Sequence, residues 1–142
     1  MSDFNSQIVD EFRANGGNVG GPFEGAPMVL VHHEGRKSGA SYVSPMMYLP
    51  ADDADAIYVF ASKAGAPTNP DWYFNLTAAG QATVEVGTDT FKVDVEELKG
   101  ATRDEVYAEQ ARRFPGFAGY EDKVKGVRTI PVLKLRRHER ST

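Results

Sequence analysis

The sequence predicts a mainly β domain, an antiparallel barrel or sandwich of about six strands flanked by three short helices. Three observations carry this. Six runs have strand composition and are joined mostly by short, turn-rich connections. Helical signals occur at three places only, in the order helix, three strands, helix, two strands, helix, strand, which is not the regular β–α alternation of a doubly wound sheet. The chain has 142 residues and no cysteine, so a single domain over 1–142 must be held by its own core, without disulfide or thiolate staples.

Phe4, Ile8, Val9 and Phe12 recur at helical spacing and predict an amphipathic helix over 2–14. Gly16, Gly17, Gly20 and Gly21 then end it, as a linker or as backbone that must approach something closely; residues 1–22 form a helix and a glycine-rich arm. Strands are predicted over 27–33 and 42–49, with a turn at Gly35–Gly39 between them. Pro45 marks the second as an edge or a bulge. An acidic turn at Asp52–Asp55 precedes a strand over 57–62. Strands 82–86 and 91–95 flank a hairpin loop, Gly87-Thr88-Asp89-Thr90. Asn69-Pro70 is an N-cap followed by proline at the first helical position, opening a helix over 71–79 that stops at Gly80. Thr102–Glu105 has the pattern of a capping box and opens a helix carrying Val106, Tyr107, Ala111 and Phe114, which Pro115-Gly116 stops. The last strand is 130–135.

The balance of 16 Lys+Arg against 20 Asp+Glu, a net charge of −4, argues against a nucleic-acid binder. The basic cluster Lys134, Arg136, Arg137 and Arg140 is expected as a solvated tail. No apolar run approaches the roughly 18 residues of a membrane span. The N-terminus lacks the basic start and apolar core of a signal peptide, so a cytoplasmic protein is expected.

Common catalytic signatures are missing. There is no cysteine nucleophile, P-loop, Gly-x-Ser-x-Gly elbow or His-Glu-x-x-His. His32 and His33 are adjacent on a strand and face opposite ways, so they cannot chelate one ion together, and no metal is expected. Three clusters remain. Gly35-Arg36-Lys37-Ser38-Gly39 offers two cations, a hydroxyl and bendable backbone, donors suited to a phosphate or carboxylate, or simply an ordinary basic turn. Residues 61–76 run from a strand end at Ala61-Ser62-Lys63 through small residues to a helix start and Trp72, which either walls a pocket for a flat ring or packs in the core. Phe114, Phe117 and Tyr120 sit in a segment broken by glycine and proline, a mobile lid over an apolar ligand or a loop packed on the core.

Together, Gly35-Arg36-Lys37-Ser38-Gly39, Ser44-Pro45, the run Ala61-Ser62-Lys63-Ala64-Gly65-Ala66-Pro67 with Pro70, Trp72-Tyr73, Asn75-Leu76, then Pro115-Gly116-Phe117 with Tyr120, and Arg128-Thr129-Ile130-Pro131-Val132 resemble the deazaflavin-dependent nitroreductase and quinone reductase family of actinobacteria. The likeness runs from about Asn5 to Leu135. It implies a split β-barrel related to FMN-binding barrels, and reduced coenzyme F420 as hydride donor to a quinone, nitroaromatic or enone. It implies that Arg36, Lys37, Ser38 and Gly39 hold the coenzyme's phosphate side, that Lys63 extends the cationic surface toward its acidic tail, and that Pro45 and Met47 lie near its ring. Ala61, Ser62, Trp72 and Asn75 are implied to line the ring and acceptor space, Phe114, Phe117 and Tyr120 to cover the acceptor, and Ser62 and Tyr120 to be the hydroxyls that deliver a proton. Tyr42 stands where the family often has arginine. Phe114 and Phe117 stand where the nitroimidazole-activating member has tyrosines, which favours quinones over that prodrug class. An FMN-dependent enzyme on the same barrel and a non-catalytic carrier of an anionic aromatic ligand are the rival expectations. The acceptor is expected to be a small molecule, with contact at the inner face of a membrane left open.

Overall fold

A computed structural model describes residues 3–20, 27–51 and 55–138. Gly21, Pro22, Asp52, Asp53, Arg140 and the side chain of Phe4 lie outside the described part. The elements are α1 (Asp3–Ala14), β1 (Met28–Glu34), β2 (Ser41–Pro50), β3 (Ala56–Phe60), a 3-10 turn (Lys63–Gly65), α2 (Asp71–Ala79), β4 (Gln81–Val86), β5 (Asp89–Glu97), α3 (Gly100–Arg113), α4 (Gly116–Val124) and β6 (Val132–Arg137). The six strands close into a barrel in the order β1-β2-β3-β6-β5-β4. All neighbours are antiparallel.

Strand alternation fills the barrel. Val29, Val31, Val59, Val84, Val93, Leu133 and Leu135 point inward and are almost fully buried, and Leu76 of α2 joins them. Branched side chains two residues apart suit a pleated wall with one face buried. The barrel has a seam. β2 pairs with β1 from Ser41 to Met47, but with β3 only at Tyr48, Leu49 and Pro50. Residues 41–47 therefore form an edge, where a residue without an N–H does least harm, and Pro45 sits there.

α1 lies over this side, burying Ile8 and Phe12 against Val19, Met28 and Leu30. Arg13 grips Glu85 of β4 through two bonds of 3.2 and 2.7 Å, and His32 Nε2 reaches the same carboxylate at 2.6 Å. The helix is thereby pinned across β1 and β4. The glycine arm makes a close approach: a Cβ on Gly17 would stand 2.7 Å from Gly87 Cα. Gly87 has φ 60° in a turn that brings Val86 opposite Asp89, two residues tighter than the predicted four-residue loop.

Several sequence expectations are corrected. Four helices stand among the described residues, because the segment expected as a mobile lid or a loop packed on the core is the regular helix α4. Pro115 stands at its N-cap, where a missing N–H costs nothing, so the proline starts a helix as well as ending one. Phe117 points into a second core with Phe60, Tyr107, Val124, Ile130 and Val132, and is only 8% exposed. The capping box does not form: α3 begins at Gly100 with Lys99 as N-cap, so Thr102 falls inside the first turn. Asn69 does not cap α2; Pro70 holds that position, and Asn69 is engaged by an arginine described below. Lys134, Arg136 and Arg137 belong to β6 and not to a tail, with Arg137 lying 4.3 Å over the Phe91 ring.

Buried Arg103 holds α3, α4 and the approach to β6 together. It donates twice to the Ile130 carbonyl, at 3.1 and 2.9 Å, and reaches Glu121 of α4 at 3.2 Å. Phe117 completes the joint through edge contacts with Phe60 at 5.7 Å and Tyr120 at 5.3 Å. Phe117→Ala should lower the free energy of unfolding by about 3 kcal/mol or more, as for other buried aromatics, when measured by urea titration. A loss below about 1 kcal/mol would mean that the residue behaves as a surface lid.

Candidate coenzyme site

The seam opens onto a cavity of about 760 Å³ between α1, the β1–β2 turn, the free edge of β2 and the start of α2. Ser6, Val9 and Asp10 line it from α1; Asp71, Trp72 and Asn75 line it from α2. The floor is His33, Tyr42, Val43 and Ser44.

The turn is built to be tight. Gly35 N–H donates to the Ala40 carbonyl and Gly39 N–H to the Gly35 carbonyl, both at 2.8 Å. A Cβ on Gly35 would meet Ser38 Oγ at 2.5 Å, and Gly39 has φ 72°. Glycine at 39 is favoured by its backbone angle, while a side chain at 35 would displace the Ser38 hydroxyl from the turn. The Ser38 hydroxyl accepts from Ala40 N–H at 3.1 Å.

Asn75 ties this turn to the barrel. Its Oδ1 accepts from Arg36 N–H at 3.1 Å and from Arg36 Nη1 at 3.0 Å. Its Nδ2 lies 3.0 Å from His33 Nδ1, and His33 Nε2 lies 2.9 Å from Ser44 Oγ. Arg36 also lies over the Phe74 ring at 5.0 Å and approaches Asp71 at 4.0 Å. The Tyr42 ring stacks on His33 at 5.5 Å with 26° between the planes. Burial pulls the His33 imidazole below its ordinary value, neighbouring His32 adds to this, and Asp71 opposes it.

The donor set fits an anionic, ring-bearing coenzyme. Arg36 and Lys37 supply charge, Ser38, Ser41 and Ser44 supply hydroxyls, and Trp72 and Tyr42 supply flat apolar faces. Asp10 and Asp71 share the lining, so the positive field is local to the turn.

The predicted residues divide between two places. Arg36, Lys37, Ser38, Trp72 and Asn75 line this cavity and Gly39 closes its turn. Pro45 lies on the same β2 edge, while Met47 packs against the α1 and α3–α4 cores. Ala61, Ser62 and Lys63 lie outside the lining, on the loop after β3. Phe114 and Tyr120 pack with Phe117 around the second core, and α4 lies on the 3-10 turn. His33, Asp10 and Asp71 carry no site expectation from the sequence, and Tyr42 and Ser44 enter only through the resemblance. The signal available was the strand alternation that puts His33 on the face opposite His32.

One residue connects the two places. Arg128 Nε and Nη2 donate to the Ala66 carbonyl at 3.0 and 2.9 Å, and Nη2 also reaches the Ser62 carbonyl at 2.9 Å. Its Nη1 donates to the Ala61 carbonyl at 3.1 Å and to Asn69 Oδ1 at 2.7 Å. The fork gathers residues 61–69 and holds Lys63 in a left-handed backbone at φ 47°.

The fold is that of split-barrel proteins. It is shared with a pyridoxine-phosphate oxidase-family protein from Clostridium acetobutylicum at 13% identity, TM-score 0.54, covering 96% of this chain and 85% of that one. The family profile of F420H2-dependent quinone reductase matches residues 5–136, and the chain belongs to that family. It is an F420-dependent oxidoreductase whose cofactor is reduced coenzyme F420. An F420H2-dependent quinone reductase of Mycobacterium tuberculosis (strain ATCC 25618 / H37Rv) is 31% identical over 133 residues, covering 89% of this chain and 85% of that one. A solved F420-H2 dependent reductase is 31% identical with TM-score 0.68, covering 78% of this chain and 94% of its own. No helix among the described residues is long and apolar enough to cross a membrane.

Arg128→Lys keeps a charge but loses the fork. It should lower stability by about 2 kcal/mol, since bonds to a charged donor contribute roughly 1.5–3 kcal/mol each. Amide exchange at Ser62–Gly65 should speed up well before the barrel opens. Unchanged exchange there would show that the loop holds itself.

Proposed function

We propose that the protein reduces quinones with F420H2, holding the coenzyme in the seam cavity. The observation that carries this is the anchored turn: Arg36 and Lys37 stand at the mouth of a ring-sized cavity in a chain of this family. Arg36, Lys37, Ser38 and Gly39 bind the phosphate side. Trp72 and the β2 edge at Pro45 pack the ring, with Met47 behind that strand. Lys63, which reaches Thr68 Oγ1 at 3.3 Å, lies where an acidic tail can extend. Asn75 orients the turn, and its second Nδ2 hydrogen is available to the ring.

Reduced F420 supplies a hydride when bound, so the protein has a proton to deliver and no nucleophile to provide. Ala61 and Ser62, fixed by the Arg128 fork, border the acceptor space. Phe114 and Tyr120 present apolar cover for a quinone ring, and Phe117 supports Tyr120 from beneath. Ser62 and Tyr120 are the hydroxyls that hold a proton for the reduced quinone oxygen. Excluding water from this space protects the hydride donor.

Turnover of menadione with F420H2, set beside a nitroaromatic, an enone and an FMN-loaded control, tests the acceptor. Menadione should be the best substrate of the set; reduction of the nitroaromatic or enone alone would refute the quinone assignment. Arg36→Ala combined with Lys37→Ala should weaken coenzyme binding by about 1.5–3 kcal/mol, roughly ten- to a hundredfold. Wild-type affinity should also fall as salt is raised toward 0.5 M, where the screening length is roughly 4 Å. Affinity indifferent to both changes would leave the turn as an ordinary surface turn.

A further inference from the structure

The polar chain along the cavity wall has a direction. Arg36 N–H and Nη1 can only donate, so the Asn75 atom facing them is the carbonyl oxygen. The amide nitrogen therefore faces His33 Nδ1, at 3.0 Å. An NH2 group donates, so Nδ1 must offer a bare lone pair. The ring proton then sits on Nε2 and is given to Ser44 Oγ at 2.9 Å. The Ser44 oxygen accepts, and its own hydrogen takes no part in the chain. Ser44 lines the cavity, so that hydrogen has an opening toward a ligand.

Resting on the assignment of this cavity to the coenzyme, we infer that His33 is a positioning residue: as the neutral Nε2–H imidazole it latches Asn75, and through it the Arg36 turn, and it makes Ser44 a hydroxyl donor to the bound coenzyme. A proton on Nδ1 breaks the latch. It sets a donor against the Asn75 NH2 group. If the amide flips to meet it, the NH2 group faces Arg36 N–H and Nη1 instead. Either arrangement leaves donor against donor in a half-buried place.

The charged surroundings agree with a neutral ring. His32, next on β1, faces the other way and is occupied by Glu85. Arg36 and Lys37 on the turn add positive charge, while Asp71 of α2 and Asp10 of α1 oppose it. Tyr42 of β2 covers the ring face. Burial is the largest influence and disfavours the charged form. A histidine serving as one more cation for an anionic coenzyme would strengthen binding as pH falls. The latch requires the opposite sign.

Two measurements test this. In the coenzyme-free protein, nitrogen-15 spectra of the histidine rings should show His33 as the Nε2–H tautomer with a midpoint below 6.5; an Nδ1–H tautomer or a higher midpoint would overturn the inference without touching the function. Binding of F420 is then measured by calorimetry from pH 8 down to below that midpoint for wild type, His33→Ala and His33→Gln. The ratio of the Ala variant's Kd to the wild-type Kd cancels any titration of the ligand itself. It should be about five- to tenfold at pH 8, equivalent to roughly one net hydrogen bond, and shrink toward one as pH falls through the His33 midpoint read from the spectra. The Gln variant should recover part of the pH 8 affinity and lose the pH dependence. A ratio flat with pH, or one that grows as pH falls, would overturn the latch. Failure of wild type to bind F420 at any pH would instead refute the coenzyme assignment of the cavity, with the tautomer spectrum still judging the polar chain.

Discussion

The side-chain amide of Asn75 is the constraint on which the site depends. It is 4% exposed, and a buried amide must find partners or cost about 1–3 kcal/mol. Its oxygen takes both donors of Arg36 and its nitrogen meets His33, so one group joins α2, the β1–β2 turn and the barrel wall. The turn's own bonds fix its shape but not its position. Asn75 fixes the position, and the glycines at 35 and 39 let the backbone come within reach. The consequence is that Arg36 is held at a fixed place, with Lys37 next to it on the turn, beside an aromatic-walled cleft.

The barrel's seam supplies the cleft. Because β2 leaves β3 beyond Tyr48, the stretch 41–47 has a partner on one side only, and α1 and α2 cover the gap without filling it. The opposite flank is closed by different means. Arg103 and the aromatic cluster of Phe60, Tyr107 and Phe117 lock α3 and α4 onto β6. Arg128 spans the two regions, gathering the carbonyls of the loop that leads from β3 to α2. The donor-rich turn and the aromatic cluster of α3 and α4 thus rest on separate supports with one arginine between them.

Much of this was legible in the residues. Runs of strand composition between turn signals located all six strands, and Gly80, at φ 74°, stops α2 where expected. The donor-rich turn stood out because its residue types have few other uses together. What escaped the sequence has a physical pattern. α4 was hidden because its glycines and leading proline signal a break, while the burial of Phe117 and Val124 outweighs their low helix propensity. The Asn69 side chain fits a cap, but the Arg128 guanidinium, 59 residues further along the chain, claims it first. His33 carries no motif and Ser44 only that of Ser44-Pro45; they become a pair only when register sets His33 two positions from Ser44's partner Val31 across the β1–β2 ladder.

The central claim is that the coenzyme occupies the seam cavity and is held by the Asn75-anchored turn. Amide hydrogen exchange of the protein with and without saturating F420 tests it most directly. The account requires new protection at residues 35–44 and 71–75, with little change in β4 and β5. Protection confined to α4 and the loop at 61–65, with the turn exchanging as before, would contradict it.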